Sequence, residues 1–117
     1  MKPEDTLLMM DVLFDVRILR HGDWSVLAVV GEVDLATMPA LRQELDQLDG
    51  DRVALDLGSV DYLEPVALGL IVAGSLKARR RDARFTVVCP AGAARDLLDE
   101  SGVDRIVDVV GTVGDLA

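Results

Sequence analysis

The sequence predicts an α/β fold in which an opening β-hairpin leads into a mixed sheet with helical, parallel crossovers. Three observations predict it. Residues 12–30 alternate or run apolar over strand lengths around a Gly-Asp turn. Strand-like and helix-like periodicities then alternate to the end of the chain. The third strand, Val53-Ala54-Leu55-Asp56-Leu57, is apolar enough to be buried on both faces, as a central parallel strand is.

Each element has its own signal. Val12, Phe14, Val16 and Ile18 alternate with Asp15 and Arg17, the period-2 pattern of a half-buried strand over Val12–Leu19. His21-Gly22-Asp23 is a turn, and Trp24–Val30 is a second strand that ends at Gly31-Glu32-Val33-Asp34. Met38, Leu41, Leu45 and Leu48 recur at helical spacing with charged residues between them, which predicts an amphipathic helix over Thr37–Leu48. Asp34 or Thr37 can cap its start, and Pro39 suits its first turn, where a missing N–H costs little. After the strand Arg52–Leu57, residues Gly58–Glu64 read as a loop and Pro65–Arg81 as a second helix. That helix is apolar nearly all round in its first half, so it is expected to be largely buried, with its glycines serving close packing on the sheet. Phe85–Val88, Gly92–Ser101 and Ile106–Val110 read as strand, helix and strand, with Gly102 a C-terminal stop. Residues 1–5 and the last few residues are the expected tails. The 117 residues suit a single domain.

Composition narrows the function. Half the residues are hydrophobic but only 3% aromatic, so the core is aliphatic, and such a composition argues against disorder. A net charge of −9 opposes binding to phosphate backbones and to anionic lipid. No apolar stretch approaches the roughly 20 residues of a membrane span, and the N-terminus lacks a secretory-signal pattern, so a cytoplasmic protein is expected. Cys89 is the single cysteine and His21 the single histidine, which leaves no disulfide, no metal cluster and no imidazole relay. Cys89 reads as a buried, inert thiol. Lys77, Arg79, Arg80, Arg81 and Arg84 read as the solvated C-terminal end of the second helix, where cations oppose the dipole. No cofactor is expected and no enzyme is read here, since no activated nucleophile or phosphate-cradling glycine loop is present. Asp34 and Asp61 are weighed as an acid and base pair and read instead as a helix cap and a solvated loop residue.

Three segments resemble the STAS-domain family, in the right order and spacing over residues 12–117. Leu27-Ala28-Val29-Val30-Gly31-Glu32-Val33-Asp34, followed by Thr37 and the Leu41/Leu45/Leu48 helix, is similar to the opening of such domains. Val53–Leu70 resembles their central strand, loop and Gly-containing helix, and Phe85–Val110 their closing part, including Leu97-Leu98 and Ser101-Gly102-Val103. The resemblance implies a four- to five-stranded mixed sheet flanked by helices. It also implies an anti-sigma factor antagonist, which binds an anti-sigma factor, often a serine kinase with a GHKL-type ATPase fold, and so frees a sigma factor for transcription. In the family, phosphorylation of a serine before the second helix blocks that binding.

At the switch this chain departs from the family. Glu64-Pro65-Val66-Ala67 stands where Asp-Ser-Ser-Gly is usual, so Val66 occupies the acceptor position and has no hydroxyl to phosphorylate. Ser59 is the nearest alternative acceptor, although a turn residue is its simpler role; Ser75 lies in the second helix. The contact residues expected from the resemblance are Asp34, Thr37, Ser59, Asp61, Glu64, Pro65, Val66 and Leu68. A second reading is a STAS module serving another assembly, such as a lipid-transport ATPase or a stress-sensor complex. A third is a nucleotide-binding sensor, for which no residue argues. The expected assembly is a monomer or a weak homodimer, because an exposed first strand can pair between chains.

Overall fold

The structure, a computed structural model, describes residues 14–117. The expected strand start at Val12 and the tail at residues 1–5 lie outside these residues. Five strands form one sheet in the order β1-β2-β3-β4-β5, with β1 at Phe14–His21, β2 at Trp24–Val33, β3 at Arg52–Leu63, β4 at Arg84–Val88 and β5 at Asp108–Val110. β1 is antiparallel to β2, whereas β2 to β5 run parallel. The crossovers carry α1 (Met38–Gln47), α2 (Leu68–Arg80) and α3 (Ala93–Ser101). This is the mixed sheet that the periodicity predicts.

The hairpin closes where His21 faces Trp24, and Gly22 supplies the positive φ of 56° that the two-residue turn requires. Val53, Ala54, Leu55 and Leu57 are buried in the middle of the sheet, as their composition demands. Across the sheet Leu27, Leu55 and Val87 align in one row, and Leu41, Ile71 and Leu98 from the three helices pack in the same core. Trp24, Val26, Ala54 and Val88 face the other way. They are covered by Val113 and Leu116.

That second layer corrects an expectation. The last residues are not a tail: Val113–Asp115 forms a short turn closed by a capping box with Thr112, and the Trp24 indole N–H donates to the Ala117 carbonyl at 3.0 Å. The Arg84 guanidinium lies 5.4 Å from the Trp24 ring. One turn is too short to show periodicity in the sequence.

Three further features differ from the sequence reading. β3 does not stop at Leu57 but runs to Leu63, so Gly58–Leu63 is strand and not loop. Its residues pair with β2 through two register shifts, one between Ala28 and Val30 and one between Gly31 and Glu32. Each shift breaks the alternation that would announce a strand. The Asp56 carboxylate accepts the Gly58 N–H at 2.8 Å and marks the first break. β2 likewise extends to Val33. Third, α2 is only half-buried: Leu70, Ile71, Ser75 and Ala78 face the core, while Gly69, Ala73 and Leu76 are exposed.

The two glycines of α2 therefore differ. A Cβ at Gly74 would lie 3.3 Å from the Phe85 ring, whereas one at Gly69 would meet nothing within 4 Å. Gly74→Leu is expected to overpack this contact and cost about 1 to 3 kcal/mol, while Gly69→Ala should be neutral or slightly stabilising. Thermal melts of the two variants check the difference.

Candidate functional site

The parallel strands β2 and β3 end side by side, and the turn into α1 meets the turn into α2 there. Both ends are tied together through the backbone: the Glu64 N–H donates to the Val33 carbonyl at 2.8 Å. The Glu64 carboxylate in turn accepts the Leu35 N–H at 3.1 Å, so an acidic side chain from one loop holds the other.

Asp34 and Thr37 lock the turn that enters α1. The Asp34 carboxylate accepts the N–H groups of Ala36 and Thr37, each at 3.0 Å. The Thr37 hydroxyl accepts the Asp34 N–H at 3.0 Å and donates to the Glu32 carbonyl at 2.9 Å. Neither expected cap bonds α1 itself: Thr37, at the N-cap position, makes no side-chain cap, and Asp34, three residues earlier, holds the N–H groups of the turn that leads into the helix. Both carboxylates are thus backbone acceptors that shape loops.

Beyond Glu64, Pro65–Ala67 forms one 3-10 turn that runs straight into α2. Pro65 takes the start of the turn, where its fixed φ fits and its missing N–H costs nothing. Ala67 is buried beneath it, whereas Val66 points outward and is 48% exposed. Leu68 is half-buried and packs on the core, which makes it more support than contact.

Of the eight residues expected from the sequence, the fold gathers Asp34, Thr37, Glu64, Pro65 and Val66 at one end of the sheet, with Leu68 beneath. Asp61 is exposed on the last part of β3 and borders an open groove between that strand and α3. Ser59 is set back. It pairs with Val30 in the sheet, roughly 13 Å along the strand from Leu63 at the usual rise per residue. It is exposed on a strand and not placed in a loop.

Two residues of this end were missed by sequence reasoning. Leu35 is 66% exposed on the loop that Glu64 holds, and Tyr62 is 52% exposed two residues before Glu64. With Val66 they are three large exposed apolar side chains at this end of the sheet, Leu35 on the loop held by Glu64 and Tyr62 on the groove that Asp61 borders. A signal existed for Leu35: it is an apolar residue in a turn, outside the Met38/Leu41/Leu45 spacing of the helix that follows. Nothing in the sequence distinguishes Tyr62 from a packing residue.

The remaining reactive group, a thiol, borders the same groove as Asp61 and Pro65. Cys89 is buried at the end of β4, and burial raises its thiol pKa, with the nearby Arg95 opposing the shift. Among the described residues no three His, Cys, Asp or Glu side chains are grouped as metal ligands, and no helix is long and apolar enough to cross a membrane.

Comparison with known proteins agrees with the fold. Residues 16–110 match the family model described as "Mlab, STAS domain". The anti-sigma-F factor antagonist RsfB of Mycobacterium tuberculosis is 28% identical over 103 residues, covering 86% of this chain and 84% of that protein. The crystal structure of an anti-sigma factor antagonist from Mycobacterium paratuberculosis is also 28% identical and superposes with a TM-score of 0.81, covering 87% of this chain and 89% of that one. The anti-sigma factor antagonist SpoIIAA in its unphosphorylated form, 14% identical, shares the fold with a TM-score of 0.68 over 87% of this chain and 90% of its own. With its five-stranded mixed sheet, its three crossover helices and a family match that spans most of its length, this chain belongs to the STAS-domain family.

Proposed function

We propose that this chain is a single-domain anti-sigma factor antagonist, which binds an anti-sigma factor through the joined ends of β2 and β3 and the start of α2, and so frees a sigma factor. The observation that carries the proposal is the outward-facing Val66, at the start of α2 beside the Glu64–Leu35 link. Its position is the one that carries the acceptor serine in the family it resembles. The relatives that bear the name anti-sigma factor antagonist cover more than four-fifths of the chain, which supports the same reading.

Asp34, Thr37 and Glu64 act in this reading as the frame of the surface, because their oxygens are spent on backbone N–H groups. Pro65 and Val66 are its contact, with Leu35 and Tyr62 added. Asp61 flanks it, Leu68 supports it from below, and Ser59 lies outside its centre. The docking test is calorimetric titration of the chain with the anti-sigma factors of its own genome. Tight binding to one of them is the expected result. If the chain is captured instead by an ATPase of another assembly and binds no anti-sigma factor, the subunit reading takes its place.

The proposal makes Val66 a permanent form of the unmodified switch. A phosphate there would add about two negative charges to the docking surface, and valine cannot accept one. Incubation with the partner kinase and ATP should therefore leave the intact mass of the chain unchanged. A gain of one phosphate at Ser59 or Ser75 would show that the switch has moved.

A further inference from the structure

We propose that two copies of this chain associate through β1, edge to edge and antiparallel, about a two-fold axis at Val16. Among the described residues β1 pairs on one side with β2, and its other side is the sheet edge. Two large apolar side chains on it, Ile18 and Leu19, are 56% and 52% exposed, one on each face. The outward backbone is also identifiable. The Val16 N–H is taken at 2.9 Å by the carboxylate of its own neighbour Asp15, the kind of local acceptor an unpaired edge donor finds. Val16 and, by the period of two, Phe14 and Ile18 thus turn their backbone groups away from β2.

The sequence of the edge selects the register. With the axis at Val16, Val16 faces Val16, Phe14 faces Ile18, and Asp15 of each copy faces Arg17 of the other. Every opposed pair matches, apolar with apolar and acid with base. The charged pairs also fall at the non-hydrogen-bonded positions, where side chains approach most closely. Moving the axis to Arg17 sets two guanidinium groups against each other, and moving it to Ile18 sets Val16 against Arg20. Phe14 and Val16 already pack on the main core, so this pairing continues that apolar face across the axis and covers Ile18. In the single chain Asp15 and Arg17 make only a 3.5 Å contact along their own strand, with 47% and 72% of their side chains exposed. The same groups are therefore free to meet a second copy. This surface is independent of the docking site proposed above.

Sedimentation velocity of the full chain over a wide concentration range tests the proposal, with circular dichroism as the folding control. A concentration-dependent dimer is expected. Arg17→Asp, which sets acid against acid twice in the symmetric pair, should weaken it roughly tenfold or more. The exchange variant Asp15→Arg with Arg17→Asp should restore it, because the pairs are reversed and remain opposite in charge. A chain that stays monomeric at every concentration overturns the proposal. So does a dimer whose strength ignores both substitutions.

Discussion

Val66→Asp is expected to fold like the parent and to bind its anti-sigma partner more than tenfold more weakly. The fold should tolerate the carboxylate on two grounds. Val66 is about half exposed, so little apolar contact is lost, and it sits at the start of the helical run where the backbone dipole favours a negative charge. The partner has no such tolerance. In the proposed complex it docks on a position that is uncharged in the parent and would have to strip water from the new carboxylate, at a cost of about 2 kcal/mol or more. Val66→Ser is the control: it should bind nearly as the parent does and become a substrate of a kinase partner. Calorimetric titration of both variants, with circular dichroism for the fold, checks the pair. If Val66→Asp binds like the parent, the docking surface lies elsewhere on the domain.

The largest effect on stability is expected from Leu55→Ala, at about 3 to 4 kcal/mol. Leu55 is fully buried in the central strand, in line with Leu27 on β2 and Val87 on β4. Truncation there removes the apolar contact and leaves a cavity that the paired strands on both sides cannot close. Against a total stability of roughly 5 to 15 kcal/mol for such a domain, the variant should remain folded with a thin margin. Urea unfolding should show a much lower midpoint at an unchanged slope. Leu76→Ala offers the contrast: on the exposed face of α2 the same kind of truncation should change the midpoint little.

The sequence by itself determined the alternation of strands and helices, the central place of Val53–Leu57, and the absence of a hydroxyl at Val66, the position proposed for the switch. These are properties of residue type and of spacing along the chain. Period 2 and period 3.6 record which side of an element is buried, and a hydroxyl is present or absent whatever the fold. The tertiary structure alone decided three other things. Gly58–Leu63 became strand because β2 offered it a backbone partner, across two register shifts that erase the alternation. Residues 113–117 became the second layer because Trp24, more than 80 residues earlier, supplied a ring to cover and an N–H to satisfy. The candidate site came together because Glu64 reaches across to the Leu35 N–H, which sets Leu35 beside the turn that carries Val66. Each of these depends on a contact between distant segments. Such a contact leaves no periodic trace in either segment, because its energy arises only once the sheet has brought the two together.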